Sequence, residues 1–297
     1  MQEQRGSTHI QTSLGEINLL HFPPEKSSGK TLLCIHGAYC DSRIFNYLGS
    51  KLSAHDIEVY SMDLPGHGKS AGVRGDLDFE RALSAINEVI QSIKKDSEIY
   101  ILGHSLGCTF ALWFAHNFKD AVNGLVLMAP YVRITNIKER SPAEPKPMEF
   151  LFLLLSRIFT PGRLVNIADA VPMIRKLGGK EVEEMLKDPE INFQYSYRFI
   201  VDIIAARNSK VKELSDIAVP VLLLHGRNDK HVYSVISEEF QKLIKAKDKK
   251  AVFFDCDHWF FRSIFYNQDD PRYSEKDRIA VMDTIADWLT NRPAKHN

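Results

Sequence analysis

Cysteine is scarce in this chain. Four of 297 residues, Cys34, Cys40, Cys108 and Cys256, form no C-x-x-C pair and have no spacing that would hold a metal. No metal or other cofactor is expected, and nothing demands an oxidising compartment. Cys34 and Cys108 lie in apolar segments and read as small buried residues. Charge of one sign is also lacking: 38 Lys and Arg balance 38 Asp and Glu, and no long basic run occurs, which argues against nucleic acid as a main partner. The most basic stretch, Lys245-Ala246-Lys247-Asp248-Lys249-Lys250, reads as a solvated helix end, where cations suit the macrodipole. No apolar stretch approaches the ~20 residues needed to span a bilayer. Met1 to Gly6 lacks the hydrophobic core of a secretion signal. The expectation is a soluble cytoplasmic protein. Internal repeats and low-complexity segments are missing too, so the chain is neither a solenoid nor a linker.

What remains is an ordinary globular composition, 44% apolar and 26% charged, in a length that suits one large α/β domain or two small ones. Thr8 to Phe22 reads as two strands around Ser13-Leu14-Gly15-Glu16. Thr31-Leu32-Leu33-Cys34-Ile35 is a continuous apolar run, as expected of a strand covered on both faces. A short helix from about Arg43 to Ala54, the strand Glu58 to Met62 and a loop Asp63-Leu64-Pro65-Gly66-His67-Gly68-Lys69-Ser70 follow. Phe79, Leu83, Ile86, Ile90 and Ile93 then recur at helical spacing. Strand Ile99–Leu102, helix Thr109–Ala115 and strand Gly124–Ala129 continue the alternation, which implies a parallel sheet with helices on both faces. From Tyr131 to Asp216 the rhythm breaks: prolines and helical patterns, and no convincing strand. Alternation resumes with Val219–Leu224, a helix near Val235–Lys245, the strand Ala251–Phe254 and a last helix, Lys276–Thr290, with Ile279, Met282, Ile285 and Leu289 on one face. The predicted organisation is a core domain, 1–130 and 217–297, interrupted by a helical cap, 131–216.

The chemistry centres on Gly103-His104-Ser105-Leu106-Gly107, set between an apolar strand and a helix. In that context a G-x-S-x-G pentapeptide forms a nucleophile elbow, its glycines sparing a tight turn from Cβ collisions. A serine hydroxyl is a weak nucleophile at neutral pH and needs a base, which a third group must orient. Asp229, in His225-Gly226-Arg227-Asn228-Asp229, and His258, in Asp255-Cys256-Asp257-His258-Trp259, each follow an apolar strand. Open α/β sheets place functional residues at such strand ends. Singly, Asp229 also suits a helix cap and His258 an ordinary surface histidine. Jointly, in the order Ser, Asp, His, the three point to a triad. Asp255 and Asp257 are too close in sequence to His258 to approach its ring squarely, and Ala129-Pro130-Tyr131-Val132-Arg133 offers no acid. His36 and His67 read as structural hydrogen-bonding residues; His104 and His225 are not placed to act as the base. The amides of Ala38, after the first buried strand, and of Leu106 are the expected oxyanion donors, each worth roughly 3 kcal/mol to a transition state.

With these residues in place, the sequence resembles the α/β-hydrolases, and within them the monoacylglycerol lipase/lysophospholipase-like group. His36-Gly37-Ala38, the Asp63 to Ser70 loop, Gly103 to Gly107, Gly226 to Asp229, and Asp257-His258 carry the resemblance, in the expected order across nearly the whole chain. It implies a mostly parallel eight-stranded sheet with a helical cap, and ester hydrolysis without a cofactor. Where many relatives place another glycine after the elbow, this chain has Cys108, and bulky Trp259-Phe260-Phe261 follow the histidine. The expected activity is a serine carboxylester hydrolase for apolar acyl esters. A peptidase or other acyl transfer at the same triad is the alternative, and a non-catalytic ligand sensor on this fold is a third reading. Haloalkane dehalogenase and epoxide hydrolase relatives need an aspartate where Ser105 stands. The stretch Met148 to Phe159 is apolar nearly all round, expected either to pack on the sheet domain or to meet acyl chains, micelle or membrane. Acyl length, head group and oligomeric state are not legible.

Overall fold

A computed structural model describes residues 6–134, 145–167, 185–208, 216–260 and 275–292. Parts of the expected insertion, residues 135–144, 168–184 and 209–215, lie outside these described residues, as do Met1 to Arg5 and Phe261. The strands are β1 (Gly6–Thr12), β2 (Gly15–Phe22), β3 (Lys30–Ile35), β4 (Glu58–Met62), β5 (Glu98–His104), β6 (Gly124–Met128), β7 (Leu164–Asn166), β8 (Gln194–Ser196), β9 (Val221–Gly226) and β10 (Lys249–Phe254). Eight form one sheet in the order β1-β2-β4-β3-β5-β6-β9-β10. From β4 onward every neighbouring pair is parallel, while β1–β2 and β2–β4 are antiparallel.

The continuous apolar runs of β3, β5, β6 and β9 follow from coverage on both faces, and all four are buried almost throughout. Their side chains alternate between two cores. Leu33, Ile35, Ile99, Ile101 and Leu223 enter one, with α2 (Phe79–Ile93), α3 (Leu106–Asn117) and α6 (Ser234–Leu243). Leu32, Cys34, Tyr100, Leu102 and Leu224 enter the other, with α1 (Asn46–Ser53) and α7 (Glu275–Thr290). Asp78 caps α2 by accepting the Arg81 N–H at 3.0 Å. On α7 the buried stripe includes Met282, Ile285 and Leu289 as expected, but Ile279 is exposed, and Val281 and Trp288 complete the stripe. All four cysteines are free and buried.

Between β6 and β9 lie α4 (Pro147–Phe159), β7, β8 and α5 (Tyr197–Asn208). The paired strands β7 and β8 correct the expectation that this region has none. Each is three residues long, too short for a period to show, and they pair across 27 intervening positions, 167–193. Helix α4 buries no residue; Met148, Ile158 and Phe159 are each more than two-thirds exposed. Among the described residues its neighbour is α5, through Phe152 on Tyr197 and an Arg157–Asp202 ion pair at 2.7 Å. Among the described residues, then, none of its side chains is buried against the sheet, the first of the two expected placements. Residues 185–208 are tied to the core by buried apolar side chains such as Phe193 and Phe199 and by polar contacts. Arg43 bridges Asp41 to Asp188 and Glu190, Arg74 donates to the Pro189 and Glu190 carbonyls, and Asp76 pairs with Arg198.

Candidate active site

Because β3, β5, β6, β9 and β10 run in parallel, their carboxyl ends share one edge of the sheet, and every predicted site residue lies there. Ser105 turns the chain from β5 into α3 at φ 53°, ψ −114°. Holding a residue other than glycine there costs of order 1–3 kcal/mol and needs surroundings that enforce it. Three hydrogen bonds do so: Ser105 N–H to the Met128 carbonyl (2.8 Å), and the Cys108 and Tyr131 amides onto the Ser105 carbonyl (3.0 and 3.2 Å). The flanking glycines are obligatory. A Cβ at Gly103 would sit 2.5 Å from the Gly107 backbone, and one at Gly107 only 2.1 Å from the Ile35 carbonyl oxygen. Cys108, the departure noted in the sequence, fits by directing its thiol to the Gly103 carbonyl at 3.0 Å.

Leu106 opens α3, so its amide has no acceptor within the helix and lies at the positive end of the dipole. Gly37 abuts the elbow: a Cβ there would lie 3.2 Å from Ser105 Cβ, which brings Ala38 close to the Ser105 turn. Strain gathers at this edge. Of the six positive-φ residues other than glycine among the described residues, Tyr39, Ser105, Ala129 and Phe260 all follow strand ends around it.

Asp229 and His258 meet through the closeness of their two loops. A Cβ at Gly226 would strike the Cys256 and Asp257 carbonyls at 2.4 and 2.5 Å, so only glycine lets β9 end this close to the β10 loop. Arg227 and Asn228 N–H then donate to the Phe254 and Cys256 carbonyls at 2.8 and 3.0 Å. The Asp229 Oδ2 receives His258 Nδ1–H at 2.6 Å. Its other oxygen accepts the His231 and Val232 amides at 2.7 and 2.8 Å. The turn-stabilising reading and the imidazole-orienting one thus use different oxygens of one carboxylate. Asp255 and Asp257 are engaged elsewhere, with the Asn228 amide group and the Trp259 N–H.

His225 is a partner the sequence did not reveal. Its Nε2 lies 3.1 Å from Asp229 Oδ2 and 2.8 Å from the Val232 carbonyl. Both are acceptors, so Nε2 carries the proton and Nδ1 accepts from the Ser237 hydroxyl at 2.5 Å. A histidine four residues before the aspartate was the available signal. Burial alone would raise the Asp229 carboxyl, but the adjoining His258 and His225 rings outweigh it and hold it well below the usual carboxylate range. It is therefore ionised at any working pH. His104 also supports the site, its Nε2–H reaching the His258 carbonyl at 3.0 Å and fastening the imidazole loop to the elbow. Burial, aided by nearby His258, lowers His104 to about 3, so it stays neutral. No hydrogen bond joins Ser105 Oγ to His258 among the described residues; such bonds commonly tighten only once substrate is bound.

His36 and His67 are structural, as expected. His36 donates from Nδ1 to the Gly37 carbonyl and accepts the Leu64 amide. The Asp63 to Ser70 loop is built around Asp63, whose carboxylate takes the Ser42 and Lys69 amides and the Asn18 side chain.

Residues 26–258 match the family described as "Serine aminopeptidase, S33". The human monoglyceride lipase is 25% identical over 247 residues, covering 81% of this chain and 79% of that protein. A monoglyceride lipase homolog of monkeypox virus is 24% identical over 267 residues, 86% and 88% of the two chains. The crystal structure of a Paleococcus ferrophilus monoacylglycerol lipase superposes with a TM-score of 0.74 at 25% identity, over 93% of this chain and 98% of that one. With the sheet order, the strained serine turn and the matched span together, the chain belongs to the α/β-hydrolases, in the serine aminopeptidase S33 family and its monoacylglycerol lipase-like group.

Proposed function

We propose that this chain hydrolyses carboxylic esters with apolar acyl groups, as a monoacylglycerol lipase-like or lysophospholipase-like enzyme, through Ser105, His258 and Asp229. The observation that carries the reading is the 2.6 Å bond from His258 to a buried, ionised Asp229, on the same sheet edge as the strained Ser105 turn. With Nδ1 donating to Asp229, Nε2 keeps a lone pair for the serine proton. Ser105 Oγ attacks the ester carbonyl and its proton passes to His258 Nε2. The oxyanion takes the Ala38 and Leu106 N–H groups. His258 then gives the proton to the departing alcohol as the C–O bond breaks, leaving acyl-Ser105. Water repeats the sequence, releasing the acid and returning the proton to Ser105. Asp229 stays ionised throughout.

The segment 131–216 serves in this reading as a cap over the site, and α4 as its contact with a micelle or membrane surface. Six residues of α4, among them Leu151, Phe152 and Phe159, are large, apolar and exposed. No helix among the described residues is long and apolar enough to cross a membrane, so the contact is interfacial. Four free, buried cysteines suit a reducing, cytoplasmic setting. The family description favours one second reading, cleavage of aminoacyl amides at the same residues.

The test is labelling by a fluorophosphonate probe, followed by hydrolysis of p-nitrophenyl esters of increasing chain length beside aminoacyl amides. Expected are labelling at Ser105, rising kcat/KM with acyl length, and neither in Ser105→Ala, which keeps its fold. A preference for amides would select the peptidase, and an unlabelled serine the non-catalytic sensor.

A further inference from the structure

Tyr195 belongs to β8, between β6 and β9 in sequence, yet its phenol is buried beneath the loop that follows β3. Its oxygen accepts the Tyr39 N–H at 2.7 Å and lies 3.3 Å from Nε2 of His67. The polarity of the second bond follows from the far side of the ring. Nδ1 of His67 stands 3.1 Å from the Pro65 carbonyl, which can only accept. Nδ1 therefore carries the proton, and Nε2 receives the phenol hydrogen. The relay runs from Tyr39 N–H through Tyr195 O–H and His67 to the Pro65 carbonyl, each donor used once. Burial, reinforced by the neighbouring His36, lowers His67 to about 3, so the ring stays neutral and able to accept.

Tyr39 is the residue after Ala38 and sits at φ 42°, a conformation that side chains rarely adopt and that its surroundings must impose. Those surroundings include two residues of the inserted segment, Tyr195 on the amide and Phe193 stacked on the ring at 5.4 Å with planes 4° apart, beside Trp259 at 6.2 Å. The peptide plane bearing Tyr39 N–H shares the Ala38 Cα with the plane bearing Ala38 N–H, so holding the first restricts the second. The other end of the relay is equally fixed. Ser196 N–H donates to the Gly75 carbonyl at 3.0 Å, Arg198 pairs with Asp76, and a Cβ on Gly75 would sit 1.7 Å from the Gln194 carbonyl oxygen. Strand β8 thus lies directly on the core loop.

We propose that Tyr195 is a positioning residue for the oxyanion loop, holding Ala38 in working geometry only while the β8 segment is seated on the core; this rests on the assignment of Ser105 and Ala38 above. The phenol touches no reacting atom. Seating of the inserted segment thereby sets the strength of transition-state stabilisation, not merely access to the site.

Two measurements test it. In Tyr195→Phe the ring keeps its stacking on Phe199, 5.2 Å away, and loses only the hydroxyl. Removing an oxyanion donor outright costs about 10²–10³ in kcat, and misaiming one should cost roughly 10- to 100-fold. The expectation is that fall in kcat on a p-nitrophenyl ester with KM within about twofold, and an equal loss of affinity for a trifluoromethyl ketone, whose adduct on Ser105 bears the oxyanion. Activity within about twofold of wild type, or a loss confined to KM, overturns the proposal. The second measurement needs no variant. In the wild-type chain, the Tyr39 amide should exchange hydrogen as slowly as the Ser196 amide, because both open when β8 lifts. Exchange at Tyr39 more than about tenfold faster overturns the link. Absence of fluorophosphonate labelling would sink the catalytic reading separately, and the exchange rates would still decide whether Tyr195 holds Tyr39.

Discussion

Gly226→Ala tests whether the spacing of two strand ends, and not the identity of the catalytic groups alone, sets activity. Gly226 pairs with Phe254 at the end of the β9–β10 ladder. It is not among the positive-φ glycines, so alanine meets no backbone penalty there, only a shortage of space. The added Cβ would stand 2.4 Å from the Cys256 carbonyl oxygen and 2.5 Å from that of Asp257, about 1 Å inside the 3.4 Å where ordinary contact begins. Both obstacles are backbone atoms of the loop that bears His258, so the loop itself must retreat. A misplacement of about 1 Å at a reacting group costs about 10²-fold in rate, or about 2.7 kcal/mol of barrier. Overpacking of this kind costs about 1–3 kcal/mol of stability, which lowers Tm by several degrees in a chain of this size. Steady-state hydrolysis of a short p-nitrophenyl ester measures the first quantity and a circular-dichroism melt the second. Activity within about threefold of wild type in a variant with lowered Tm would refute the reasoning, since the strain would then have been absorbed away from His258.

Asp229→Asn should lower kcat by about 10⁴-fold. Its amide group would donate to His258 Nδ1 and move the ring proton to Nε2, while the side-chain oxygen could still accept the His231 and Val232 amides and preserve the turn; a loss under about tenfold would contradict this. Stability should fall as pH drops from about 6.5. His67 and His104 are both held near 3 in the fold by burial first, so the unfolded chain binds protons that the folded chain refuses, at up to ~1.4 kcal/mol per pH unit for each. Urea midpoints that stay level or rise between pH 7 and pH 5 would contradict it. The pair Ile158→Ser and Phe159→Ser alters two exposed α4 side chains, and should abolish binding to phospholipid vesicles with little change in Tm or in turnover of a water-soluble ester; unchanged vesicle binding would remove α4 from the interfacial reading.

The parts of this fold legible in sequence are those governed by local pattern. Runs such as Thr31–Ile35 and Val221–Leu224 announce buried parallel strands, because coverage on both faces removes the need for polar positions. Ser105, Asp229 and His258 could be singled out because each follows such a run, and the parallel order of the strands carries those run ends to one edge of the sheet. What stayed hidden depends on partners distant along the chain. Strands β7 and β8 are too short to carry a period, and the Tyr195–Tyr39 bond spans 156 residues. His225 could be placed at the end of a strand, but the direction of its ring toward Asp229 is a tertiary fact. The apolar pattern of α4 left two placements open, because hydrophobicity all round a helix does not say whether protein or lipid will meet it.

Burial of the sulfurs has a practical corollary. Desolvation pushes the pKa of all four thiols well above the ordinary thiol value, so at neutral pH almost none exists as the reactive thiolate. Alkylating agents and peroxide then have nothing to attack until the interior opens. The rate at which iodoacetamide consumes Cys34 or Cys108 becomes a clock for global unfolding, readable without a tag and blind to the chemistry proposed for Ser105.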